Sequence, residues 1–521
     1  MATTSLPVNP RQLAELWQQV RASAEERSKD LGDVALQYHL AEQLGLVALL
    51  EQATGKRAQG VSVGLATLLM AIHRNSDPGS KRAFLEWYPT TILPELSGLP
   101  VGLIAYHDLL ASMDYWTDEA IGQVETALAL RLGQRFQLRL HTLVWDSSSC
   151  YFEAQTNELV QFGYSRDHRP DCPEIGTDLF VDVASGFVPY ARSYEGKVTD
   201  VVRFPEALLD FRSQYPDAAE VTLLLDRGSV SAENLVLLRD LHYSVIAGLP
   251  LKGAWATRVE GIRTFEASFN LGGTRYAAQR QRLWVQDQRF YLEIYYNYKT
   301  ARDEQQRRQR ALKACQQALE GLRLGQYQLK TRAQIRTRVE AILQAHHVKT
   351  FLQVKVVKAR GEEHFHLDLH LRKRALANAE HRDGRFALIT DRQELSAKEL
   401  LCQYRAKNKA EVAFATIKGP ISLRPVFHYS PPRIKAHVFI CHLALLLRNL
   451  LNLLLQAKAI ELTPQKALKM AKQVRITEVY FPQSNQLFWN LNQIDPEVQE
   501  IFAAVGLDPQ QLLKASGLSP P

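Results

Sequence analysis

The residue pattern is that of an α/β protein: an all-α N-terminal region, then a mixed sheet, with a mostly β insertion ahead of the last helices. Three observations point there. Apolar residues recur at three and four as far as Phe136, alternate at two from Leu138, and between Val221 and Gly248 form strand, helix and strand in turn. From Leu249 to about Ser396 that alternation breaks down.

The helical stretch begins near Gln12. Leu13, Leu16, Trp17 and Val20 mark one stripe, and Leu40 to Leu50 and Val61 to Ile72 mark others. Asp77-Pro78-Gly79 interrupts the run before Lys81 to Trp87, and Thr117-Asp118-Glu119 is a capped, acid-led start for a helix to about Arg135. Residues 1–136 are thus expected to be a helical domain; such domains commonly dock DNA or mediate assembly, with a purely structural role as the plain alternative.

Residues 137–248 are expected to hold the first part of the sheet. Leu138, Leu140, Thr142 and Val144 alternate with their neighbours in a strand that ends on Asp146 before three serines. A second strand near Tyr151 to Ala154 can pair behind it. The loop from Gly163 to Glu174 is dense in turn formers and charge, and strands at Asp178 to Val183 and Phe187 to Tyr194 flank Ser185-Gly186 as in a hairpin. A helix from about Phe204 to Gln214 leads into Val221-Thr222-Leu223-Leu224-Leu225-Asp226, an apolar run that reads as a strand buried on both faces. Helix Ala232 to Leu241 and strand Ser244 to Gly248 follow. Ligands of open α/β sheets gather where strands end, so Asp146 and Asp226 are placed to share a site.

Residues 249–395 form the expected β-rich insertion. Its strands are Arg263 to Phe269, Thr274 to Gln279, Arg282 to Asp287, Phe290 to Tyr298, Phe351 to Val357, His364 to Leu371 and Arg385 to Thr390. Two charged helices, Thr300 to Leu324 and Lys330 to His346, lie among them. Residues 396–460 return to the sheet and 461–521 form a C-terminal helical segment. The most apolar run, Ala436 to Leu455, is long enough to span a bilayer but carries His437, His442, Arg448, Asn449 and Asn452, so it reads as a buried helix.

The chain is organised around the stretch from Tyr404 to Lys418, free of proline and glycine and stopped by Gly419-Pro420. On one helix Tyr404, Lys407, Glu411 and Lys418 fall within an arc of about 60°, opposite Ala406, Ala410, Ala413 and Ile417. A carboxylate between two cations suits a solvated face with i,i+4 charge pairs. Taken alone that is the plainer reading; the functional one is a metal-binding acid whose neighbours hold a phosphate backbone.

Composition leans towards the second use. Lys and Arg number 63 against 55 acids, a net charge of +8 that favours a polyanionic partner over an acidic small substrate. Five scattered cysteines without a CxxC pair argue against a disulfide framework and a structural zinc, and fit a reducing cytosol. Met1 to Pro10 has no basic segment followed by an apolar one, so no secretory signal is expected.

Asp146 in Val-Trp-Asp-Ser-Ser-Ser, the Gly163-Tyr-Ser-Arg-Asp-His-Arg-Pro-Asp loop, Asp226-Arg-Gly-Ser-Val-Ser and Leu423-Arg-Pro-Val-Phe-His together resemble the DDE transposases of bacterial insertion sequences. More narrowly they resemble the subgroup with a Tyr-x2-Arg-x3-Glu-x6-Lys signature, matched here by Tyr404, Glu411 and Lys418, with Lys407 where that signature has arginine. Lysine keeps the charge and loses bidentate phosphate geometry. Ser231 stands where many relatives carry an aromatic residue.

The resemblance implies a ribonuclease H-like fold in which Asp146, Asp226 and Glu411 bind magnesium, with manganese as a substitute, while Tyr404, Lys407 and Lys418 hold transposon-end phosphates. It implies double-stranded DNA as partner, metal-dependent cleavage and strand transfer, a homodimer on paired ends, no membrane, no small-molecule cofactor and a cytoplasmic, nucleoid-associated location. Alternatives are a DNA-binding relative that no longer cuts and a metallohydrolase built on His364, His366, Asp368 and His370, whose alternation also fits a polar strand face. Trp284 and Trp255 read as core residues or as platforms for a displaced base. The basic run Arg302 to Arg310 reads as a DNA contact or a solvated helix face.

Overall fold

The computed structural model describes residues 25–55, 61–153, 156–163, 165–218, 220–322, 324, 329–358, 365–482 and 486–515. Contacts divide the chain into two compact units, unit 1 from Met1–Val221 with Ala406–Pro521 and unit 2 from Thr222–Arg405.

Unit 1 opens with β1 (Glu25–Asp30), followed by α1 (Gly32–Gln43), α2 (Leu46–Thr54), α3 (Val63–Ser76), α4 (Lys81–Trp87), α5 (Leu93–Ser97), α6 (Tyr106–Met113) and α7 (Asp118–Phe136). Hydroxyl caps start three of the helices: Ser62, Ser80 and Thr117 accept from the amides of Leu65, Ala83 and Ala120. Asp77-Pro78-Gly79 does separate α3 from α4, and α7 starts where its cap predicts. The expected stripe at Leu13, Leu16, Trp17 and Val20 lies outside the described residues. The all-helical expectation fails at β1. Its sequence, Glu-Glu-Arg-Ser-Lys-Asp, has no apolar period to read, and only pairing with a distant strand makes it extended.

Next come β2 (Thr142–Tyr151), β3 (Glu174–Asp182), β4 (Tyr190–Glu195) and α8 (Asp200–Gln214). The strands join antiparallel in the order β4-β3-β2, from Leu143↔Asp182 to Tyr151↔Glu174 along the first pair. Here the sequence reading needs correction. Asp146 does not end a strand; it is inside a ten-residue one, and the second strand expected at Tyr151 is its continuation. The serines stay extended because their hydroxyls find partners off the strand: Ser147 Oγ donates to Asp200 Oδ1 at 2.5 Å and Ser149 Oγ accepts from the Arg166 amide at 2.9 Å.

Unit 2 contains β5 (Thr222–Leu225), α9 (Ala232–Asp240), β6 (Ser244–Gly248), α10 (Gly253–Gly261), β7 (Ala267–Leu271), β8 (Thr274–Val285) and β9 (Gln288–Asn297). It continues through α11 (Tyr298–Glu320), α12 (Arg332–Ala345), β10 (Leu352–Val357), β11 (His366–Leu371), α13 (Lys373–Arg382), β12 (Arg385–Thr390) and α14 (Ala397–Arg405). Within the unit the sheet runs β5-β6-β12-β9-β8-β7. β5 and β6 are parallel and the remaining pairs antiparallel, which makes a large mixed sheet. The strands expected of an insertion therefore extend this sheet, joined by Leu388↔Gly248, and two of them, near 274–279 and 282–287, are one strand, β8. A separate small core, with Cys315, Leu319, Ile335 and Val339 at its centre, packs α11 and α12 on the β10–β11 hairpin.

Unit 1 resumes with α15 (Asn408–Lys418), α16 (Pro431–Ala457), α17 (Pro464–Ala471), β13 (Arg475–Phe481), β14 (Gln486–Leu491), α18 (Pro496–Val505) and α19 (Pro509–Ala515). β1, β13 and β14 form an antiparallel sheet, where a helical segment was expected for 461–521. The single helix expected from Tyr404 to Lys418 is also two. Lys409 and Ala410 donate to the carbonyls three residues back, Ala406 and Lys407, each at 3.0 Å, a tightened turn between α14 and α15. α16, with a mean hydropathy of 2.0 in its most apolar window, is long and apolar enough to cross a membrane, yet 78% of that window is buried. Ion pairs from Arg433 to Asp114 and Lys435 to Asp118 tie its start to the N-terminal helices.

Buried Lys81 carries a pH signature. Burial, then Arg74, push its ammonium down to about 7; among the described residues no carboxylate contributes to the shift, and His73, His428, His437 and Cys441 are titratable groups that interact with it. Unfolded, a lysine keeps its proton to about pH 10.4. Between about 7 and 10 the unfolded chain thus binds the extra proton, and stability rises with pH. Urea midpoints across that window should climb for the wild type, and the Lys81 share of the climb should vanish in Lys81→Met.

Candidate functional site

In unit 1, the expected acids lie on β2 and α15. Trp145 and Ser147 face α8, through the Phe204 ring at 5.0 Å and Asp200, so Asp146, two positions from Val144 and Ser148, belongs to the other face with Cys150. α15 packs on β2 and β3 with Ala410, Ala413, Phe414 and Ile417 buried. Glu411 stands in its first turn with its side chain 58% exposed and Lys407 Nζ 3.5 Å away. Asp146 Oδ1 accepts the Ser147 amide at 2.8 Å. The Asp146 carboxylate on a half-buried strand position and the mostly exposed Glu411 carboxylate supply oxygen donors of the kind that suit a hard divalent ion. Among the described residues, however, no three His, Cys, Asp or Glu side chains gather as a group that could hold a metal.

Lys418 is placed differently from Lys407. Its side chain is only 13% exposed, and its ammonium donates to the Ser149 carbonyl and to Asp167 Oδ1, the latter at 2.9 Å. Arg424 pairs with the same Asp167 oxygen. The expected phosphate contact would require this lysine to leave an interior cluster that fixes the charged loop at 163–174 against β2. Nearby Cys150 is pushed up to about 12 by burial, an effect that Lys418 eases.

In unit 2, Asp226 is the first residue past the fully buried β5, as expected. Its carbonyl accepts from the Ser229 amide and hydroxyl, which fixes the turn. The Tyr404 hydroxyl donates to Asp226 Oδ1 at 3.4 Å. Gly248, at the end of β6, makes room for that phenol: a Cβ there would lie 2.3 Å from Tyr404 Oη. Gly248→Ala should therefore cost about 1–3 kcal/mol through overpacking, read as a lower urea midpoint.

Sequence reasoning did not find Gly248, Asp167 or Arg424 as partners of the signature. Asp167 and Arg424 are inside the quoted motifs, but nothing local reveals that they share one cluster. Trp284 is 66% exposed at the β8–β9 hairpin and so is not a core residue, whereas Trp255 on α10 is half-buried. The basic run on α11 is partly folded inward, with Arg308 paired to Asp383. His364 lies outside the described residues. His366, Asp368 and His370 occupy one polar face of β11, His370 Nε2 2.8 Å from Asp368 Oδ2, while Leu367 and Leu369 pack into the small core.

No family model and no curated protein matches this chain. Among solved structures, the piggyBac transposase synaptic complex with hairpin DNA aligns over 95% of this chain and 88% of that one, at 8% identity and a TM-score of 0.41. A likeness that low supports no conclusion by itself.

Proposed function

We propose that this protein is a DNA transposase of the DDE type with a ribonuclease H-like catalytic core. The observation that carries the reading is the Tyr404 hydroxyl on Asp226: the first residue of the helix signature meets the second acid motif, far away in sequence, at the end of a buried parallel strand. A second geometric relation supports it in unit 1. Lys418, on the last turn of α15, is anchored at the Ser149 carbonyl of β2, so the helix that carries Glu411 packs on the strand that carries Asp146.

Asp146, Asp226 and Glu411 would hold magnesium, or manganese in its place. Bound there, the metal would supply Lewis-acid activation of both the attacking and the leaving oxygen of a phosphodiester. Tyr404 orients Asp226 by its hydrogen bond. Lys407, the more exposed signature lysine, is the one to meet a DNA phosphate, as a point charge rather than a bidentate fork. Lys418 positions α15 from within. Exposed Trp284 offers a flat face for a base displaced during cleavage.

The partners are transposon ends and target DNA, engaged by a homodimer in the cytoplasm at the nucleoid. The second reading is a DNA-binding protein of this fold that does not cut. The experiment is cleavage of a labelled duplex carrying the element's own end, in magnesium. Nicking at the end by the wild type alone, with Asp226→Asn and Glu411→Gln still bound, upholds the transposase. Binding without cleavage by all three, in magnesium and in manganese, replaces it with the second reading.

A further inference from the structure

The helix α16 buries a guanidinium without an acid. Arg448 is 5% exposed, and its Nε and Nη2 donate only to Asn75, to Oδ1 at 2.5 Å and to the carbonyl at 3.4 Å. Nη1 has no hydrogen-bond partner among the described residues, and burial alone pulls the group down to about 10. An uncompensated buried charge is costly, and evolution ordinarily pairs it. Arg448 lines a hollow of about 430 Å³ between α15, α16 and the start of α17.

The rest of the lining has the same sign. Lys409 supplies a second cation, Asn452 and Gln456 supply carboxamides, the Asn449 amide already donates to the Gly186 carbonyl at 2.5 Å, and no lining residue is an acid. The adjacent Asp182 carboxylate is turned to the Ser185 amide and hydroxyl at 2.7 and 2.6 Å. The eight-residue α17 has no acid in its first turn, and its N-terminal end closes the hollow at Thr463 to Gln465, adding the positive end of a helix dipole.

We propose that this hollow binds a phosphate group. The buried guanidinium, the carboxamides and the helix end all offer N–H donors or positive potential, and the volume admits a phosphate with one sugar or base attached. The source is a nucleic-acid strand or a free phosphorylated molecule of nucleotide size. The site stands apart from the cleavage reading, since none of Asp146, Asp226 and Glu411 lines it.

The test uses the full chain at constant ionic strength. Pyrophosphate should raise the wild-type Tm by several degrees, and Arg448→Met should lose that shift. Arg448→Met also takes the donors from buried Asn75, so the quantity compared is the pyrophosphate-induced shift of each variant against its own ligand-free Tm. Asn452→Asp, which leaves Arg448 in place and adds an acid to the lining, should abolish the shift as well. Competition between pyrophosphate and a short single-stranded oligonucleotide would assign the polynucleotide source, and pyrophosphate binding without competition the small-molecule source. An unshifted wild type, or an equal shift in all three proteins, would overturn the proposal and leave Arg448 as a structural tie to Asn75.

Discussion

Glu411→Gln and Asp226→Asn should each lower cleavage of the end duplex in magnesium by more than about 10²-fold while leaving duplex affinity nearly unchanged. Loss of a group that merely orients a metal ligand costs about 10- to 100-fold, so loss of a ligand should exceed that range. Both substitutions keep the side-chain volume and remove the negative charge. Glu411 can afford this without structural damage: it is more exposed than buried, and among the described residues its only ion pair is the 3.5 Å contact with Lys407. An i,i+4 pair of that kind contributes about 0.3–0.5 kcal/mol, far too little for Glu411→Gln to unfold unit 1. Gel-shift and single-turnover cleavage on the same preparations separate the two effects, and a variant that cuts at the wild-type rate would remove its acid from the metal site.

Asp167→Ala should destabilise the protein by about 3–5 kcal/mol, the loss typical of breaking a buried ion pair from one side. The carboxylate is 5% exposed and serves two cations, Lys418 and Arg424, which would be left charged inside. Among the described residues its Oδ2 has no hydrogen-bond partner, so the burden rests on Oδ1. Equilibrium unfolding in urea reads the change, and adding Lys418→Met to Asp167→Ala should recover part of it. A destabilisation within about 0.5 kcal/mol, the range of an ordinary surface change, would mean that the loop at 163–174 is held by something else.

How much of this could be read beforehand depended on where the determining forces lie. The strand before Asp226 was legible because three consecutive leucines, Leu223 to Leu225, buried on both faces leave little choice, and helices such as α7 announced themselves through Thr117. β1 was not legible, since its six polar residues become a strand only through a partner at 475–481. Asp146 was misplaced at a strand end because three serines look like a turn; Asp200 and the Arg166 amide keep two of them extended. The break at Ala406 and Lys407 leaves no local mark, as neither residue disfavours a helix. Of the candidate site, residue identities were visible in the motifs, while the Tyr404–Asp226 bond, the space left by Gly248 and the inward commitment of Lys418 came only with tertiary structure.

The pairing of β1 with β13 has a consequence for the chain while it is being made. Unit 1 is discontinuous, and its first stretch emerges from the ribosome long before the strands that complete it. Unit 2, whose residues are contiguous, can fold as soon as it is out. At about 5–20 residues per second the helices α1 to α7 and the edge of β1 wait on the order of tens of seconds for α16 and β13. Through that interval they expose the apolar surface that α16 will cover, which makes nascent unit 1 a client for chaperones and places its final assembly after synthesis has nearly finished.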